Sequence, residues 1–94
     1  MRRAARTDAN QAELVKALRK VGATVQPLHA VGSGCPDLLV GFRGVNYLIE
    51  VKDGEKSPSQ RVLTPDQVEW HHLWKGQRGV AKNIEECFAL VMLT

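Results

Sequence analysis

Apolar side chains recur at helical spacing near the start of the chain. Leu14, Leu18 and Val21 fall on one stripe with Ala17 beside them, while Lys16, Arg19 and Lys20 occupy the other side. This predicts an amphipathic helix starting near Asp8, whose carboxylate can accept an early backbone N–H while Gln11 reaches back as in a capping box, and stopping at Gly22. Residues 24–28 are β-prone, with Pro27 marking an edge strand. A loop over 31–36 leads into a strand over 37–42, a tight turn at Arg43-Gly44 and a second strand over 45–52. A polar loop runs over 53–63. Thr64-Pro65-Asp66-Gln67 opens a helix, with threonine as cap, proline in the first turn and glutamine completing the box. That helix ends near Lys75-Gly76; a short strand over 79–82 follows, and Asn83 to Glu86 cap a last helix carrying Phe88, Leu90 and Val91. The order α-β-β-β-α-β-α predicts an α/β fold, a small mixed sheet flanked by helices.

Composition narrows the class. Ninety-four residues suffice for one hydrophobic core, and 44% hydrophobic with 24% charged residues excludes a wholly disordered chain. The longest apolar run, 89–93, is five residues, far short of a membrane span. The basic start, Met1-Arg2-Arg3-Ala4-Ala5-Arg6, has no apolar stretch behind it, so a cytoplasmic location is expected. Residues 1–7 read as a basic arm and residues 8–94 as the single domain. Cys35 and Cys87 stand apart without a CxxC pattern and are expected to be reduced thiols.

The chemistry is concentrated between Asp37 and Lys52. Side chains alternate faces along a strand, so Leu48, Glu50 and Lys52 share one face while Tyr47, Ile49 and Val51 point the other way. With a two-residue turn at Arg43-Gly44, Asp37 lies opposite Glu50; with a turn two residues longer it lies opposite Lys52. Either register leaves it on the Glu50 face. Arg-Gly is not the strongest two-residue turn sequence, so both registers stand. Two adjacent carboxylates repel and call for a shared proton or a cation. Mg²⁺ accepts one or two carboxylates and leaves positions for phosphate oxygens, which a nearby lysine can also hold. Together these groups suit metal-assisted phosphodiester hydrolysis. The competing reading of Glu50-Val51-Lys52 is a solvated strand face with a weak ion pair.

Pro36-Asp37 followed by Glu50-x-Lys52 resembles the PD-(D/E)XK nuclease signature. The wider pattern adds a helical acid, Gly34-x-Pro36-Asp37-Leu38, and Leu63-Thr64-Pro65-x-Gln67 opening a helix. It resembles the stand-alone virus-type replication-repair nuclease (VRR-NUC) domain, often phage-encoded, over roughly residues 8–90. The resemblance implies a restriction-endonuclease-like core. It further implies that Asp37, Glu50, the carbonyl of Val51 and Glu13 bind Mg²⁺ or Mn²⁺, that Lys52 positions the attacking water, and that Gln67 supports the lysine or the phosphate. The implied activity is a metal-dependent DNA endonuclease on structured replication or repair DNA such as a four-way (Holliday) junction, leaving a 5′-phosphate and a 3′-hydroxyl. Cutting two strands symmetrically would need a homodimer. The alternative is a non-catalytic nucleic-acid-binding accessory protein on the same scaffold.

Charge bears on the partner. Setting aside Glu13, Asp37 and Glu50 leaves 13 basic against 7 acidic residues, and Arg2, Arg3, Arg6, Lys16, Arg19 and Lys20 lie within the first 20 positions, where they can follow a phosphate backbone. Glu13 could instead pair with lysines on its own helix, and Gln67 could serve only its capping box. Adjacent His71 and His72 point about 100° apart on a helix and clamp one metal poorly. Trp70 and Trp74 share a stripe, where core packing is expected, with a subunit contact as the alternative.

Overall fold

The computed structural model describes residues 9–92. Helix α1 (Gln11–Lys20) leads to strand β1 (Thr24–Pro27), the hairpin β2 (Leu38–Phe42) and β3 (Val45–Val51), helix α2 (Pro65–Leu73), strand β4 (Arg78–Ala81) and helix α3 (Ile84–Met92), with one 3-10 turn at Pro58–Gln60 in the polar loop. The sheet runs β1-β2-β3-β4, antiparallel across the first three strands and parallel between β3 and β4. The parallel pair requires the crossover that α2 provides. The expected α/β architecture and element order are those observed, and no helix among the described residues is long and apolar enough to cross a membrane.

The alternation along β3 separates core from site. Tyr47, Ile49 and Val51 are buried with Leu38 and Val40 of β2, Leu14, Val15 and Leu18 of α1, and Cys87 and Val91 of α3. The Tyr47 hydroxyl donates to the Val91 carbonyl, 3.4 Å, inside this layer. Helices α1 and α3 therefore cover one face of the sheet, and α2 carries groups that meet the other.

The hairpin register is the shorter one. Phe42 pairs with Val45, and the pairing runs to Leu38 opposite Ile49. Arg43 and Gly44 both take positive φ, 54° and 79°, the combination a type I′ turn needs. Arg43 is an unusual residue for that role; its guanidinium lies 4.9 Å from the centre of the Phe42 ring.

Two expectations are corrected. The first helix starts at Gln11 rather than near Asp8, so Gln11 is its first residue and cannot complete a box from the third position. Residues 1–8, including the expected arm with Arg2, Arg3 and Arg6, lie outside the described residues. Trp70 and Trp74 are not in the core. They stack on each other at 4.8 Å and 15° on the flank of α2, where Trp74 is 45% exposed. Only His71 of α2 is buried, and burial first, then the Arg78 charge, hold its imidazole below the usual range.

Burial beside Glu86 pushes the Cys87 thiol up from the usual 9.0 to about 11, burial being the larger cause. The unfolded chain then loses that proton first, so the contribution to stability is complete below pH 9.0 and is lost as pH rises toward about 11. Urea titrations across that range should show Cys87→Ala with a flatter decline than wild type, the difference amounting to about 2–3 kcal/mol.

Candidate active site

The site lies where β2 begins and β3 ends. One step beyond the Leu38–Ile49 pair, the register sets Asp37 opposite Glu50. Hydrogen-bonded and non-bonded pairs alternate along an antiparallel ladder, and the residues flanking a two-residue turn form a bonded pair. Counting from Phe42–Val45, Pro36 and Val51 would form the next bonded pair after Leu38–Ile49. Pro36 has no N–H to give the Val51 carbonyl. The Val51 N–H instead donates to Oδ2 of Asp37 at 2.7 Å. The Pro36-Asp37 dipeptide thus replaces a rung of the ladder with a carboxylate and withholds the donor that the Val51 carbonyl would otherwise receive.

On the same face, Glu50 is 2% exposed. Its Oε2 accepts from Nε2 of Gln67 at 3.0 Å and lies 3.9 Å from the Lys52 ammonium. Lys52 donates to Oε1 of Gln67 at 2.9 Å. The same Oε1 accepts from the Thr64 N–H at 2.9 Å, and the Gln67 N–H donates to the Thr64 hydroxyl at 3.3 Å, closing the capping box. The two roles weighed for Gln67 are therefore held at once: one amide caps α2 and joins the acid to the lysine. Glutamine meets both demands because it presents a donor to the carboxylate and an acceptor to the ammonium.

The first turn of α2 is pressed onto the loop before Asp37. Gly34 has φ +80°, and a Cβ there would fall on the Asp66 carbonyl, with its carbon only 2.7 Å away. Cys35 sits at the edge of the site. Its thiol is pushed up chiefly by burial, then by the negative charges of Glu50 and Asp37. A thiol so held stays protonated at neutral pH and does not serve as a nucleophile.

Glu13 is not brought to Asp37 and Glu50. Its helix packs by Leu14, Val15 and Leu18 on the opposite face of the sheet, and Glu13 itself is exposed, lining a groove with Asp53, Glu55 and Glu85. Among the described residues no three His, Cys, Asp or Glu side chains gather closely enough to share a metal ion. Lys16 and Arg19 flank a separate shallow groove with Pro27 and His29, Arg19 donating to the Val25 carbonyl at 3.0 Å, and Lys20 is exposed.

The sequence did not reveal Asn10. It stands at the N-cap of α1 without making a side-chain cap bond. Its amide instead donates to the carbonyls of Lys52, 3.2 Å, and Lys82, 3.1 Å, tying the helix start to the ends of two parallel strands. An asparagine before an apolar helix signals a cap; partners 42 and 72 positions away leave no local signal.

Comparison with known proteins comes from structure. A solved chain described as a VRR_NUC domain is similar to this one at a TM-score of 0.64 and 28% sequence identity, over 85% of this chain and 87% of that one. No family model and no curated protein matches the sequence.

Two substitutions test the architecture of the site. Asn10→Ala should lower stability by about 1–3 kcal/mol in chemical denaturation, because two strand-end carbonyls lose their donor. Gly34→Ala should cost about 1–2 kcal/mol through its φ alone and more through the approach of α2; two stable variants would show that neither contact holds the site.

Proposed function

We propose that this chain, which is similar to a solved VRR_NUC domain, is a Mg²⁺- or Mn²⁺-dependent DNA endonuclease acting on branched replication or repair DNA such as four-way junctions. The observation that carries the proposal is the Gln67 amide, which holds Glu50 and Lys52 together at the mouth of a strand pair whose other acid is Asp37. A solvated strand face would leave these groups exposed and mobile, whereas Glu50 is buried and Lys52 is 12% exposed.

The residues fit a hard divalent ion. Such an ion takes one or two carboxylates, backbone carbonyls and waters. Asp37, Glu50 and the Val51 carbonyl form that donor set without a third acid, and Glu13 takes no part in it. When bound, the ion would supply Lewis acidity to the scissile phosphate.

The chain's own groups have distinct tasks. Lys52 Nζ lies 3.9 Å from Oε2 of Glu50 and offsets part of its charge before substrate arrives. Its remaining donors can hold a phosphate oxygen and orient the attacking water, with charge building on that phosphate as the bond to the 3′ oxygen breaks. Gln67 is a positioning residue, keeping the ammonium aimed while its cap bonds fix the amide itself. Lys16, Arg19 and Lys20, with Arg2, Arg3 and Arg6, are proposed to follow the DNA backbone. One domain offers one such site, so paired cuts on two strands would require a homodimer.

The test is cleavage of branched and linear DNA with and without Mn²⁺. Wild type should cut only with the ion, and Lys52→Ala and Glu50→Gln should each retain the fold and lose at least about a hundredfold in rate. Equal cleavage by wild type and both variants, or salt-sensitive DNA binding with no cleavage by any of them, would reject the proposal, the latter in favour of an accessory binding protein.

A further inference from the structure

A second surface lies on the flank of α2, away from Gln67 and His71. Trp70 and Trp74 stack there, Leu73 is 60% exposed beside them, and Ser33 of the loop before β2 closes the other wall. Together with Asp66 and Glu69 they line an open cleft of about 390 Å³. Indole faces attract cations, arginine above all, and the two carboxylates bias the cleft further toward positive charge. The nuclease site uses none of these six side chains.

The sequence supplies a matching segment. Residues 1–6 carry Arg2, Arg3 and Arg6 and no acid. Their reach is sufficient. Asn10 bonds the Lys52 carbonyl and the Lys52 ammonium bonds Gln67, so little more than one lysine separates the root of the arm from the first turn of α2. Eight extended residues cover roughly 26–29 Å, comparable with the 28 Å shortest dimension of the molecule. We propose that the tryptophan cleft of α2 is a docking surface for the chain's own arginine arm, with guanidinium groups against the indoles and Asp66 and Glu69 neutralising them. The arm then has two competing anionic partners, this cleft and a nucleic-acid backbone.

The proposal is tested without DNA or metal, and so independently of nuclease activity, by intrinsic tryptophan emission of the full chain. Replacing Arg2, Arg3 and Arg6 together by serine should shift the emission to longer wavelength, as water replaces the arm. Asp66→Asn with Glu69→Gln should give the same shift at unchanged helical circular dichroism. Added salt should produce the shift in wild type and not in the arginine-free variant. Identical emission from wild type and the arginine-free variant, or a shift in that variant with none in the Asp66→Asn/Glu69→Gln variant, would overturn it. A shift that depends on protein concentration would also overturn it, by assigning the cleft to the arm of a second copy.

Discussion

The pairing of β2 with β3 starts at a turn in which Arg43 and Gly44 both adopt positive φ, and each charged group of the site takes its place from the resulting register. A shift by a single residue would exchange the faces of β3, sending Tyr47, Ile49 and Val51 toward α2 and Glu50 into the apolar layer. The burial of that apolar set against α1 and α3 resists such a shift. The core on one side of the sheet thus fixes the chemistry on the other. Pro36 adds a local consequence: where the ladder would continue, it ends in a carboxylate bonded to the Val51 N–H.

Helix α2 contributes little apolar burial of its own, with Val68 and Leu73 more than half exposed. It is held instead at its ends. The capping box and the close approach of Gly34 fix its first turn, and the Arg78 side chain bonds the His71 carbonyl at 2.7 Å near its last. Such a helix is placed accurately at its start, where Gln67 needs to be, and leaves one flank open to solvent. The same geometry creates the joined Glu50–Gln67–Lys52 group and the aromatic cleft.

Much of this was legible in the residues because the signals are local. Alternation along 45–52 separates Glu50 and Lys52 from Val51, and Thr64-Pro65-Asp66-Gln67 announces both a helix and its cap. The register was not legible, since Arg-Gly is a weak turn sequence and its support comes from the stacking of Arg43 on Phe42. Glu13 is placed at the site only by the family pattern; its helix packs by Leu14, Val15 and Leu18 on the side of the sheet away from Glu50. The two tryptophans have core-like spacing, yet a helix pinned at its ends turns them outward. Asn10 leaves no local signal because its partners lie 42 and 72 positions away.

Beneath the functional reading lies one spatial claim: the ends of two antiparallel strands present two carboxylates and a backbone carbonyl to a single cation. Anomalous scattering from a crystal soaked in Mn²⁺ examines it directly. The account predicts a peak bounded by Asp37, Glu50 and the Val51 carbonyl, with the Lys52 ammonium nearby. A peak confined to the acidic groove of Glu13, Asp53 and Glu85, or no peak at the strand ends at saturating Mn²⁺, would contradict it.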